Sequence, residues 1–282
     1  MNLSFIIGLV AAFVLVINGV VTGGTSVSQV MSSFIDIPSV YITFGGAFSA
    51  TIMSVPAKYL RAIPKHMKVL LKKDKTDFNQ YINAIVELAK EARLKGLLVL
   101  EEKIKTLDIQ DSFLEYCVML IVDAMDPLKV REQIENEITC IENRHAEVWN
   151  VYDICSAYGP AFGMLGTLIG LINMLANLDT SGGSDALGKG MSVALVTTFY
   201  GSVLQNMICA PISYRLKAKH QDEMAVKEMI MEGVLSIQSG ENPKYIQEKL
   251  SSYLTYNDRL NSGQNEGNTS KRTKVLLRKR KK

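Results

Sequence analysis

A chain of 282 residues that is 48% hydrophobic can bury a sizeable core, and its net charge of +3 is too small to suggest a nucleic-acid partner. Its four cysteines lack a CxxC pair and its three histidines are isolated, so no metal cluster or disulfide framework is visible. What classifies the chain is where its apolar residues are placed.

Leu3–Val21 carries no charge over nineteen residues. It lacks a basic leader and a small-x-small cleavage site and exceeds a signal-peptide core, so it reads as a retained membrane span. The loop after it is rich in Gly, Ser and Thr. Asp36 and Pro38 then give a helix-start signal for a second uncharged run, Pro38–Val55, in which Gly45-Gly46 offers close helix approach. This first hairpin is expected to form a lipid-facing outer layer. Phe162–Leu178 and Met191–Ile212 are the third and fourth apolar runs, each long enough for a helix to cross roughly 30 Å of hydrocarbon.

Basic residues set the orientation. Of 31 Lys and Arg, 15 lie between Val55 and Val151, 15 follow Pro211, and Lys189 is the remaining one. The positive-inside rule then predicts a multi-pass protein of the cell (inner) membrane with both termini cytoplasmic.

The inner segment opens with a basic juxtamembrane stretch, KYLRAIPKHMKVLLKKDK, suited to anionic headgroups. Asp77–Leu107 reads as helical, with Ile82, Ile85, Val86 and Ala89 at core spacing and Gly96 marking a close contact or a break. Two further helices are expected over Asp111–Met125 and Pro127–Val148. Beyond Pro211 an amphipathic helix extends the fourth span, Gly240 stops it, and Asn242-Pro243 starts a last short helix. The end is polar and basic, with eight Lys or Arg in the last twelve residues, and is expected to be a disordered tail.

The predicted fold is therefore an all-α integral membrane protein with four transmembrane helices. An all-helical cytoplasmic domain lies between helices 2 and 3, and helix 4 has a cytoplasmic extension. The expected divisions are 1–55 (helices 1 and 2), 56–150 (cytoplasmic domain), 151–211 (helices 3 and 4), 212–255 (helical extension) and 256–282 (tail).

Helices 3 and 4 hold the residues with chemical potential. Gly163, Gly166 and Gly170 allow close packing along one helix. Thr167, Thr197 and Thr198 lie at matched depth; threonines in membrane helices usually bond back to their own helix, and the alternative is that these line an ion path. Between Ser156 and Pro211 the only carboxylates are Asp179 and Asp185, both in the outside loop. Ion paths through membranes normally use an ionisable side chain. If this hairpin is half of such a path, the acid comes from another chain. No nucleophile–base set or phosphate loop is visible, so an enzyme is not expected.

These residues resemble a known family. EARLKGLLVLEE (Glu91–Glu102), GPAFGMLGTLIGLI, VALVTTFYGSVLQNMICAPI and GENPKYIQEKLSSYL, in the order two helices, cytoplasmic domain, two helices, are similar to the MotA proteins. These are the larger stator subunits of bacterial flagellar motors, in a wider group that includes ExbB and TolQ. The resemblance implies an ion-conducting, torque-generating subunit that moves H+ or Na+ and needs no cofactor. It implies five copies around two MotB-like chains, each supplying the ion-carrying Asp from a single membrane helix, and contact with the rotor protein FliG. Pro160 and Pro211 match the family's prolines near the cytoplasmic ends of helices 3 and 4, Arg93 and Glu101 its rotor-engaging charges, and Thr167 and Thr198 its hydroxyl positions near the ion path. On one helix Arg93 and Glu101 would stand about 80° apart, facing one partner. An ExbB/TolQ-like energiser of envelope processes is the alternative reading, and a small-molecule transporter stands behind it, without the internal repeats usual for one.

Overall fold

Helix is the only regular structure among the described residues of a computed structural model, which are 3–22, 34–71, 77–177, 183–254 and 259. Residues 1–2, 23–33, 72–76, 178–182, 255–258 and 260–282 lie outside them, and with them the expected basic tail and most of the loop between the first two apolar runs. The elements are α1 (Leu3–Val21), α2 (Ile37–Val40), a wider π-helical stretch (Tyr41–Gly45), α3 (Gly46–Ser54), α4 (Ala57–Leu60), α5 (Ile63–Leu71), α6 (Phe78–Lys95), a 3-10 turn (Leu97–Val99), α7 (Leu100–Ile104), α8 (Ser112–Val122), α9 (Pro127–Ala176), α10 (Gly183–Val203), a second π-helical stretch (Leu204–Cys209), α11 (Ala210–Gln238) and α12 (Pro243–Leu250).

Three helical runs are long and apolar enough to cross a membrane: Ser4–Val21, Pro127–Ala176 and Leu187–Gln238. Residues 37–54 form a further apolar helical run, entered through an Asp36 cap whose carboxylate accepts the Ser39 N–H at 2.8 Å.

The chain divides into two compact units, Met1–Asp74 with Asn143–Lys219 and Lys75–Glu142 with His220–Lys282. The expected 56–150 segment is thus shared between them. Residues 57–71 pack with the apolar helices, and residues 78–142 pack with the end of α11 and with α12.

The second unit is built on Ile85 and Leu88 of α6, Leu100 of α7, Leu114 and Ile121 of α8, Ile134 of α9, Met229 and Ile230 of α11, and Ile246 and Leu250 of α12, each fully buried. Each such side chain contributes about 1.5–3 kcal/mol by leaving water. Helix α11 can lie this close because Gly233 faces Ile85: a Cβ there would stand 2.7 Å from the Ile85 Cγ2.

Three sequence expectations change. Asp77–Leu107 is not one helix. Gly96 takes φ 88°, a left-handed conformation that favours glycine, and its N–H closes α6 on the Ala92 carbonyl. No atom lies within 4 Å of where a Gly96 Cβ would be, so Gly96 marks a break and not a close contact. Second, Pro127–Val148 and the third membrane helix are one continuous α9 of 50 residues, with Pro160 in its interior and not at an end. Third, α10 begins at Gly183, so the later part of the Asp179–Lys189 stretch, expected as a loop, is helical.

Candidate functional site

Helices α9 and α10 run against each other along two sets of small residues with the same spacing: Gly159, Gly163, Gly166 and Gly170 on α9, and Gly190, Ala194, Thr197 and Gly201 on α10. Positions i, i+4, i+7 and i+11 lie on one face of a helix. A Cβ added at Gly159 would stand 2.9 Å from the Gly201 oxygen, one at Gly163 3.1 Å from the Thr197 oxygen, and one at Gly170 2.6 Å from the Gly190 oxygen. At Gly166 it would overlap the Thr197 side chain. The backbones themselves are in contact, as small residues permit in membrane helix pairs. Sequence reading found three of these glycines. It missed Gly159, Gly190 and Gly201, although the matching spacing on α10 was there to be read.

The three threonines do not share one environment. Thr197 is fully buried, and its hydroxyl donates to the Val193 carbonyl at 2.8 Å and the Ala194 carbonyl at 3.0 Å. Its own carbonyl accepts from the Thr43 hydroxyl at 3.3 Å, so it is held between α9 and the 37–54 run. That placement is one of packing and sets Thr197 apart from an exposed path. Thr198 is exposed and Thr167 half-buried, each bonded back to its own helix, at 3.2 Å to the Ala194 carbonyl and 2.6 Å to the Met164 carbonyl. The Thr198 backbone lies against Gly163, one turn from Thr167, which puts both hydroxyls on the same side of the pair. Below Thr198, Ser202 and Asn206 continue the exposed stripe at four-residue spacing. The face is a band of hydroxyl and amide groups beside exposed Met164, Leu168, Leu195 and Met191.

Toward the other end of the pair the two proline sites differ. Pro160 lies beside one of the close contacts of the pair, its Cα 3.2 Å from a Cβ placed on Gly201. Pro211 follows the π-helical stretch, where the Ala210 N–H reaches back to the Gln205 carbonyl. The wider turn there accommodates the ring and the missing N–H of the proline. Asp153, the carboxylate at this end, is engaged: its oxygens accept from the Ser213 hydroxyl at 2.6 Å and the Lys217 ammonium at 2.7 Å, joining α9 to α11. Among the described residues no three His, Cys, Asp or Glu side chains gather as metal ligands.

In the second unit, Arg93 ends α6 and Glu101 lies in α7, so the Gly96 break separates them and the single-helix phase does not apply. Both are exposed. Arg93 makes no ion pair among the described residues, while Glu101 faces Lys105 at 3.7 Å. Around them Lys95 pairs with Glu91 at 2.8 Å and holds its carboxyl below the usual range, and Lys103 pairs with Glu87 at 2.5 Å. Leu94 and Leu98, 79% and 76% exposed, stand on either side of Gly96 between the charges. Sequence reading did not single them out.

Residues 105–229 match the MotA/TolQ/ExbB proton channel family. Motility protein A of Borreliella burgdorferi is 37% identical over 93% of this chain and 98% of its own length. Chemotaxis protein PomA of Vibrio alginolyticus is 34% identical over 90% and 96%. Among solved structures, the flagellar MotAB stator complex of Bacillus subtilis superposes with a TM-score of 0.80 at 32% identity, and MotAB of C. jejuni with 0.79 at 27%, each covering 91% of this chain and 97% of theirs. With relatives this similar along nearly the whole sequence, the chain belongs to the MotA/TolQ/ExbB proton channel family.

Proposed function

We propose that this chain is the ion-conducting, torque-generating stator subunit of a bacterial flagellar motor, a multi-pass protein of the inner membrane with both termini in the cytoplasm. Five copies surround two MotB-like chains, whose membrane helix brings the aspartate. Ion flow turns the ring, and Arg93 and Glu101 push on FliG. The transported ion is H+ or Na+, and no cofactor takes part.

One observation carries the reading. The α9–α10 pair is packed backbone to backbone and presents the Thr198–Ser202–Asn206 band on an exposed face, with no carboxylate at mid-depth to hold a charge. A helix bearing one acid complements such a surface. The names of the relatives favour the motor over the envelope energiser.

The test is co-expression with the MotB-like protein of the same cell. Expected are a stable complex, ion flow, and loss of both flow and swimming when the partner's membrane aspartate becomes asparagine. Swimming that survives that change refutes the reading. Swimming speed in sodium-free medium then assigns the ion.

A further inference from the structure

The first unit contains a cavity of about 470 Å³ that the proposed ion path does not use. Its floor is formed by buried Val151, Cys155 and Leu204, and its mouth by Phe48 and Ile52, which are 47% and 61% exposed. Leu60 and Ile63, from α4 and the start of α5, close its cytoplasmic side. The volume is in the range of small-molecule sites, about 300–1,000 Å³.

The surface it presents is apolar throughout, and charge makes it more than a void. The α4–α5 segment that closes the cavity carries exposed Lys58, Arg61, Lys65 and Lys68, and no acidic residue occurs between Ile37 and Leu71. Lys58 and Arg61 have no ion pair among the described residues. The mouth therefore lies where an exposed apolar surface (Phe48, Ile52, Met53) passes into a basic one.

We infer that this is a binding site for one anionic phospholipid, with an acyl chain in the cavity and the phosphate facing Lys58 and Arg61. A neutral lipid would fill the cavity but leave the cations unmatched, and a free anion would leave the cavity empty. The basic segment thus has a stoichiometric ligand in addition to its general attraction to an anionic leaflet.

Trp149 is the only tryptophan of the chain and packs on the cluster that contains Val151 and Tyr152. The full-length protein is reconstituted in phosphatidylcholine bilayers containing increasing fractions of a phospholipid brominated on its acyl chain, either phosphatidylglycerol or phosphatidylcholine. Trp149→Phe gives the background. The expected result is quenching of Trp149 at a several-fold lower mole fraction of the anionic lipid. Lys58→Gln with Arg61→Gln shifts that curve by about fivefold per charge removed, with the assembly unchanged on gel filtration. Identical curves for the two lipids, an unchanged curve in the double variant, or no quenching at all because protein fills the cavity overturns the site.

Discussion

Gly159 and Gly201 lie back to back, each closer to the other's carbonyl than a side chain allows: a Cβ on Gly201 would stand 2.6 Å from the Gly159 oxygen, and one on Gly159 2.9 Å from the Gly201 oxygen. A close contact of the membrane helix pair thus adjoins Pro160. A proline in a helix interior leaves the carbonyl four residues earlier without its bond, here that of Ser156.

Gly201→Ala should therefore separate α9 from α10. Overpacking of this kind costs on the order of 1–3 kcal/mol, and Gly201→Val should cost more. The measurement is thermal stability of the detergent-solubilised protein with swimming in soft agar. Gly188→Ala is the control, since nothing lies within 4 Å of its would-be Cβ. Equal effects at 188 and 201 would contradict the contact.

Thr197 and Thr198 are adjacent in sequence but differ in environment. Thr197→Val keeps the shape that Gly166 packs on and loses a hydroxyl bonded to its own helix, so about 0.5–1.5 kcal/mol of stability is at stake and ion selectivity should stay as it is. Thr198→Val leaves stability alone and alters the dependence of swimming speed on sodium or proton gradient. Speed measured against each gradient separates the two; a larger transport effect at 197 than at 198 would reverse the assignment.

How much of this could be read in advance follows from what each feature depends on. Charge-free runs and the Lys/Arg distribution identify membrane helices because the bilayer acts on local composition. Continuity of α9 was not legible from the change in polarity near Val148: between Pro127 and Gly159 there is no Gly or Pro to stop a helix, and a change of solvent is not a change of backbone. The Gly96 break was signalled, but its sense, an exposed left-handed turn, was not. The α10 register Gly190–Ala194–Thr197–Gly201 was present in the sequence but is less conspicuous than an all-glycine one, because alanine and threonine fill two of its four positions. The cavity lined by Phe48, Val151 and Leu204 depends on segments far apart in the chain, and periodicity does not report those.

Lys249 on α12 gives the second unit a pH dependence. Its ammonium is bonded to Glu232 and Ser236 and lies 3.8 Å from Glu241; the Glu232 bond first, and then the surrounding carboxylates, raise its pKa. A cation whose pKa is raised by folding contributes its full stabilisation below the unfolded value, about 10.4, and loses it as pH rises through the folded value. Hydrogen-exchange protection factors in α11 and α12 of the full chain, corrected for the base-catalysed intrinsic rate, should therefore hold up to about pH 10 and fall above it. Lys249→Met should be less protected at pH 8 and should lose the alkaline step. Retention of that step in the variant would assign it to another group.

Leu94 and Leu98 are the strongest test of the surface around the Gly96 turn. Two leucines more than three-quarters exposed, between an unpaired Arg93 and Glu101, have no role in the core of their own unit. Interfaces place apolar anchors inside a polar rim, and the anchors carry most of the energy while the charges guide and orient the approach. Exposed ion pairs are worth about 0–1 kcal/mol each, so Arg93→Glu or Glu101→Lys should each reduce torque partially, and the reduction should grow as ionic strength falls. Leu98→Asp removes an anchor and leaves the fold intact, so it should abolish rotation while assembly and ion flow persist. The measurements are rotation of a tethered cell, complex recovery on gel filtration, and ion flux through the reconstituted complex. Normal rotation in a Leu94→Ser, Leu98→Asp double variant would place the rotor contact elsewhere on the chain.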